Sequence, residues 1–235
     1  KYKLDIPQIK TYLKFSAPVI LSFVVGGSYA YINPFIVEHY LSDKEFLLYR
    51  YGARELPIFL IIANSFSLVY SAKIAAAEKT KKLDDTLTQF KVKNKKIVHQ
   101  LFPIGIALML VSEFLFANFY GSNYREAFIT FNVLLFLLAS RLLFPQTILF
   151  GLGKTKHFIV ASAIELSLGL SLSLLLISNY SLLGVSFAIV IAAMAEKAYL
   201  IGVCYYSKIN FAKYFPVKQY LFYLSLLACA FLYTL

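Results

Sequence analysis

The 235-residue sequence has no tryptophan, two cysteines, three histidines and only twelve acidic residues. Each shortage excludes a class of function. Cys204 and Cys229 both lie in apolar runs, which gives neither a disulfide framework nor metal-ligand spacing. His39, His99 and His157 sit far apart, near the ends of apolar segments, so no shared metal site is expected. Charged residues make up 15% of the chain, too few to cover a soluble domain of this length. No Ser/His/Asp set or paired-carboxylate site is visible, and most connections between apolar runs are too short for a catalytic domain, so no enzyme is expected. The stretch GLGKT at 151–155 resembles the end of a phosphate-binding loop. That motif needs a glycine where Ile148 stands and a strand before it, so GLGKT is read as a tight turn.

The chain is instead 60% hydrophobic, with mean hydropathy +0.69. Several runs approach or exceed the roughly 20 apolar residues that cross a bilayer. An all-α, polytopic membrane protein is expected, with spans at about 15–37, 46–76, 98–119, 126–150, 157–178, 182–206 and 218–235. The sequence does not begin with Met, starts in a basic stretch and stops inside an apolar run, so residues 1–235 are expected to form one transmembrane domain of a longer protein. The net charge of +11 is concentrated in alternate connections. Lys1, Lys3, Lys10 and Lys14, then Lys79 to Lys96, Lys154 and Lys156, and Lys208, Lys213 and Lys218 fall on one side. Lys44 and Arg125 are alone on the other, with Arg50 just inside the next segment. This bias puts the residue-1 end in the cytoplasm, favours contact with anionic lipid headgroups, and argues against nucleic acid as a partner. Tyrosines such as Tyr40, Tyr49, Tyr51, Tyr120, Tyr124, Tyr180, Tyr205 and Tyr220 form the interfacial belt that tryptophan would otherwise share. Leu83, Leu87 and Phe90 recur at helical spacing among lysines, so the basic 77–97 connection is either an amphipathic helix or a solvated loop.

Ionisable residues inside a span usually face protein or water. Projection at 100° per residue puts Pro18, Ser22, Gly26, Tyr29 and Asn33 within about 80° of arc. Close helix packing through small residues explains Ser22 and Gly26, whereas a hydrated cavity accounts better for Tyr29 and Asn33. In the second segment Arg50, Arg54, Pro57, Asn64, Ser65 and Ser71 share a face about 120° wide. Glu55 points away from Arg54 and is expected to meet another helix. Snorkelling to the headgroups explains Arg50 well and Arg54 less well. The cavity candidates are therefore Arg50, Arg54, Asn64, Asn33, Tyr29 and Arg141. Arg141, Glu165 and Glu196 lie at matching depths, roughly 12–16 Å from the cytoplasmic helix ends, and can meet there, with Lys197 as a second cation. Such a cluster either locks helices together or couples transport to H+ or Na+.

The stretches YLKFSAPVILSFVVGGSYAYINPFIV, LLYRYGARELPIFLIIANSFSLVYSAKIA, LFGLGKTKHFIVASAIE and NYSLLGVSFAIVIAAMAEKAYLI together resemble the second half of polysaccharide flippases. These form the O-antigen and capsule branch of the multidrug/oligosaccharidyl-lipid/polysaccharide exporter superfamily, whose fold is MATE-like. The resemblance covers most of the chain and is one of pattern. It implies a six-helix C-terminal lobe plus part of a further helix, facing an absent N-terminal lobe across a central cavity. It also implies alternating-access flipping of an undecaprenyl-diphosphate-linked oligosaccharide across the bacterial inner membrane, for cell-surface polysaccharide synthesis, with no cofactor beyond a coupling ion. Arg54, with Arg50 and Arg141, would meet the diphosphate. The competing expectations are an ion-coupled multidrug antiporter of the same superfamily, a membrane-embedded glycosyltransferase or polymerase, and a non-transporting membrane protein of polysaccharide assembly.

Overall fold

A computed structural model describes residues 6–235, with side chains from residue 10 onward apart from residue 11. Lys1 and Lys3 of the basic start lie outside the described residues. The protein is all-α: α1 Ile6–Tyr40, α2 Asp43–Gly52, α3 Pro57–Lys79, α4 Leu83–Phe119, α5 Ala127–Leu134, α6 Leu137–Arg141, α7 Pro145–Gly151, α8 His157–Tyr206, α9 Phe211–Tyr214 and α10 Val217–Thr234, with a 3-10 turn at Ser122–Tyr124. Six helical stretches of the described residues are long and apolar enough to cross a membrane. One of them, α8, is a hairpin of two arms. The backbone reverses at Ser181 (φ 49°, ψ −132°), and a Cβ on Gly184 would lie 2.5 Å from the Leu176 carbonyl oxygen. The arms match the segments expected at 157–178 and 182–206.

Two other expected segments are interrupted. The run expected at 46–76 is two helices. Ser42 and Glu45 form a reciprocal capping box that starts α2. The residue before a proline is pushed out of the helical region, and Leu56 accordingly takes φ −71° and ψ 120° before Pro57 opens α3. Gly52 ends α2 where it touches α5. A Cβ there would lie 2.4 Å from the Ala127 carbonyl oxygen, so only glycine allows this approach. The run expected at 126–150 is three short helices, α5 to α7. Phe144 takes a left-handed conformation (φ 56°, ψ 26°) immediately before Pro145. A bulky residue there costs about 1–2 kcal/mol. It is held by burial among aromatic rings, 4.9 Å from Phe66 and 6.1 Å from Phe90.

Irregular backbone at membrane depth persists only where protein covers it. The broken span is the most enclosed of the six, with 78% of its apolar window buried. Neighbouring side chains serve its freed carbonyls: Tyr220 donates to Ala139 O at 2.9 Å, and Asn94 reaches Leu142 O at 3.5 Å. α3 and α7 pack closely, with Ser67 and Thr147 hydroxyls 2.6 Å apart. The basic 77–97 connection is mostly helix. The turn shrinks to residues 80–82, and α4 runs unbroken from Leu83 with Leu87 and Phe90 buried. At 37 residues it exceeds the thickness of a bilayer, so its lysine-rich start extends past the apolar layer while staying packed on α3 and α9. There Lys213 of α9 pairs with Asp84. At the opposite end Arg125 pairs with Glu113, and Ser181 donates to Glu45 at 2.5 Å, tying α2 to the tip of the α8 hairpin.

Candidate functional site

The breaks redistribute the predicted site residues. Arg50 lies in the last turn of α2 and Arg54 in the link before α3, so they do not share one helical stripe with Asn64, Ser65 and Ser71. The projection assumed a continuous helix that Pro57 interrupts. Asn64 and Ser65 are exposed on α3, whereas Ser71 is buried and donates to Leu68 O at 2.9 Å. Arg50 and Arg54 are both exposed. The Arg54 Nε donates to Arg50 O at 3.4 Å, and neither guanidinium has an acidic partner among the described residues.

Glu55 turns the other way, and the helix it meets is α6. Arg141 grips it through two parallel bonds, Nε to Oε1 at 2.8 Å and Nη2 to Oε2 at 2.9 Å. This fork-to-carboxylate geometry is the strong form of an ion pair. The direct contact expected between Arg141 and Glu165 or Glu196 is not made. Both carboxylates nevertheless lie within electrostatic range of Arg141. Glu196 pairs instead with its neighbour Lys197 at 2.6 Å, and the Lys197 side chain is only 4% exposed. Glu165 makes no hydrogen bond or ion pair among the described residues, although Glu196, Lys197, Arg141 and Glu55 all act on it electrostatically. The result is a network of three carboxylates and two cations gathered from the α2–α3 link, α6 and both arms of α8. Sequence reasoning omitted Glu55 from the site, although its direction away from the arginines was the available signal.

The polar face of α1 is a packing surface. A Cβ on Gly26 would lie 3.7 Å from both Glu165 Oε2 and Ser162 Oγ, so α1 approaches the first arm of α8 over glycine. One on Gly169 would strike the Tyr29 ring at 2.3 Å. Tyr29 and Asn33 are buried in this seam. The Tyr29 hydroxyl lies 3.4 Å from Ser173 Oγ, which donates to Asn33 Oδ1 at 3.3 Å. Tyr29 and Asn33 are thus packed in the seam between α1 and the first arm of α8, as the helix-packing alternative describes. Buried amide and hydroxyl groups need such partners, and here the hairpin supplies them. The site thus combines a closed Glu55–Arg141 ion pair, a Glu165 carboxylate without a hydrogen-bond or ion-pair partner among the described residues, and the exposed guanidinium groups of Arg50 and Arg54.

No protein-family model and no curated protein matches the chain. Solved structures do match its fold. An outward-facing multidrug resistance MATE family transporter of the MOP superfamily aligns with TM-score 0.66 and 13% identity, over 93% of this chain and 52% of the transporter. A MOP superfamily transporter from Pyrococcus furiosus, described as having a binding pocket of reverse polarity, aligns with TM-score 0.63 and 14% identity, over 94% and 52%. The lipid II flippase MurJ, in an inward closed conformation, aligns with TM-score 0.62 and 21% identity, over 99% and 50%. The chain thus has the fold of half of a MATE-like transporter and spans about half the length of the solved proteins it matches.

Proposed function

We propose that this chain is the C-terminal lobe of an alternating-access flippase that moves an undecaprenyl-diphosphate-linked oligosaccharide across the bacterial inner membrane for cell-surface polysaccharide synthesis. The observation that carries this reading is the pair of exposed, unneutralised guanidinium groups of Arg50 and Arg54, beside an Arg141 already occupied by Glu55. Charge at the edge of an apolar belt is costly unless it meets water, headgroups or an anionic ligand. A diphosphate offers paired oxygens that match the planar donor fork of arginine. The fold likeness to a lipid II flippase supports the substrate class. The likeness to a multidrug transporter supports the antiporter alternative, but exposed cations disfavour cationic drugs.

In this reading Arg54 and Arg50 hold the diphosphate at the mouth of the cavity shared with an N-terminal lobe. Glu165, flanked by Glu196 and Lys197, takes the coupling H+ or Na+. The test is export of surface polysaccharide by cells carrying Arg54→Ala at normal protein level. A loss of roughly tenfold or more is expected from removing one charge-assisted contact. Arg54→Lys retains part of the activity if charge alone matters and little if the bidentate fork is required. Full export with alanine refutes the assignment, and efflux of a cationic dye that depends on Glu165 supports the antiporter instead.

A further inference from the structure

At the lysine-rich end of the bundle, the start of α1 and the turn between α7 and α8 enclose an open cleft of about 720 Å³. Lys14, Phe15 and Pro18 line one side, and Gly153, Lys154, Thr155, Lys156 and His157 the other. The cleft is built rather than accidental. Gly153 takes φ +69°, which turns the chain so that Lys154 N donates back to Leu149 O at 2.8 Å. Lys154 Nζ is anchored by donating to Ser207 Oγ at 2.7 Å. Thr155 is buried and donates to Phe15 O at 3.0 Å, which fastens the turn to α1. Phe15 meets Phe150 edge-on at 5.3 Å and supplies an apolar floor.

Among the described residues the lining carries three lysines and no carboxylate. α8 also begins here, with no side chain capping its first amides. The positive end of the helix dipole favours an anion at this position, although the Phe158 N–H is already taken by Thr155 O at 3.0 Å. The volume falls in the range of sites that hold a headgroup-sized organic molecule, well beyond a bare ion. One turn beyond Pro18 on the cleft side of α1, Leu21 is exposed.

We infer that this cleft binds a phosphate group. The site is separate from the arginines near Glu55 and does not depend on the flippase reading. Two sources share this chemistry: the headgroup of an anionic lipid and a free soluble phosphate.

The test uses the purified protein in detergent, titrated with dioleoyl phosphatidic acid and, separately, with inorganic pyrophosphate, with bound mass read by native mass spectrometry. The variant is Lys14→Gln, Lys154→Gln and Lys156→Gln combined. The control is Lys93→Gln, Lys95→Gln and Lys96→Gln, which removes equal charge from exposed positions on α4. Affinity for phosphatidic acid is expected to fall by about tenfold to a hundredfold in the cleft variant, from losing three near-surface lysine contacts. It is expected to stay near wild type in the α4 control, and to recover when the cleft lysines are replaced by arginine. Pyrophosphate that displaces the lipid supports the phosphate as the recognised group. Pyrophosphate that binds as tightly as the lipid identifies a soluble ligand at the same site. Equal loss in both variants, or no loss in the cleft variant, overturns the inference. The arginine replacement separates lost binding from lost folding.

Discussion

The pairing of Glu55 with Arg141 makes an asymmetric prediction. Both side chains are partly exposed, 22% for Glu55 and 34% for Arg141, and their bidentate contact is shielded from most solvent. Breaking a fully buried pair costs about 3–5 kcal/mol, and the remaining exposure lowers this to about 2–3 kcal/mol. The two single changes should not cost the same. Glu55→Gln leaves Arg141 within reach of Glu165 and Glu196, so the stranded cation keeps partial compensation. Arg141→Gln leaves Glu55, Glu165 and Glu196 with Lys197 as their remaining cation, and Lys197 is already committed to Glu196. Arg141→Gln is therefore expected to be the more damaging by about 1 kcal/mol, and adding Glu55→Gln to it should restore stability rather than reduce it further. The assay is equilibrium unfolding in mixed micelles with increasing SDS, followed by circular dichroism, across the double-mutant cycle. A coupling energy of about 2–3 kcal/mol, larger than the loss from Glu55→Gln alone, is expected. Additive losses, or a milder effect from Arg141→Gln than from Glu55→Gln, would refute the reasoning.

Gly169→Ala places a methyl group against the Tyr29 ring, forces α1 away from α8, and is expected to cost about 1–3 kcal/mol in the same unfolding assay. Tyr29→Leu should relieve part of that excess, and an unchanged penalty in the double variant would show that the seam is not the cause. At the outer latch, hydrogen bonds from Ser181 and then Ser42 stabilise the charged form of Glu45 and lower its pKa below its ordinary value of 4.5. A lowered folded-state pKa contributes stability above the ordinary carboxylate range, and that contribution is lost as pH falls through the folded value. Thermal unfolding followed from neutral pH to below 4.5 should therefore show a shallower acid loss for Glu45→Gln than for the natural residue. Parallel curves would remove Glu45 from the latch.

The spans and the lysine alternation were legible because hydropathy and charge are summed over many residues, and no single contact decides them. The helix breaks were hidden for the opposite reason. Leu142–Phe144 is as apolar as its surroundings and only Pro145 marks that break, while at Ala53–Leu56 the charges of Arg54 and Glu55 read as a helix entrance rather than as a break before Pro57. Proline was an ambiguous signal here, since α1 continues through Pro18 and Pro34 and α4 through Pro103. Projecting a face across Pro57 therefore joined Arg50 and Arg54 to Asn64 and Ser71, which the fold separates. Tyr29 and Asn33 looked like cavity residues because their partner, Ser173, is 140 residues or more away in sequence and invisible to a single-helix projection. Arg141 and Glu55, 86 residues apart, pose the same problem. The depth argument brought Arg141 into range of Glu165 and Glu196 but could not choose among three carboxylates.

The position of the ion pair gives the breaks a joint meaning. Glu55 lies in the link between α2 and α3, and Arg141 is the last residue of α6, immediately before the irregular backbone that leads to α7. One salt bridge thus joins two interruptions of membrane segments. A continuous helix resists bending along its length, whereas a break can absorb a large dihedral change at a few residues. Tying two breaks together makes the flanking helices α2, α3, α6 and α7 move as a set or not at all. A bistable element of this kind responds to charge, because changing one carboxylate's occupancy alters the field at its neighbours. Under the proposed function Glu165 would take that role: it has no ion-pair partner among the described residues, lies beside Gly26 of α1, and is within electrostatic range of Arg141. If the coupling is mechanical, locking the link should uncouple ion binding from substrate movement. A cysteine pair in place of Glu55 and Arg141, bridged by a bifunctional thiol reagent with a disulfide in its spacer and then released by reduction, tests this. Transport should stop on cross-linking and return on reduction, while a charge-only role leaves it equally impaired in both states.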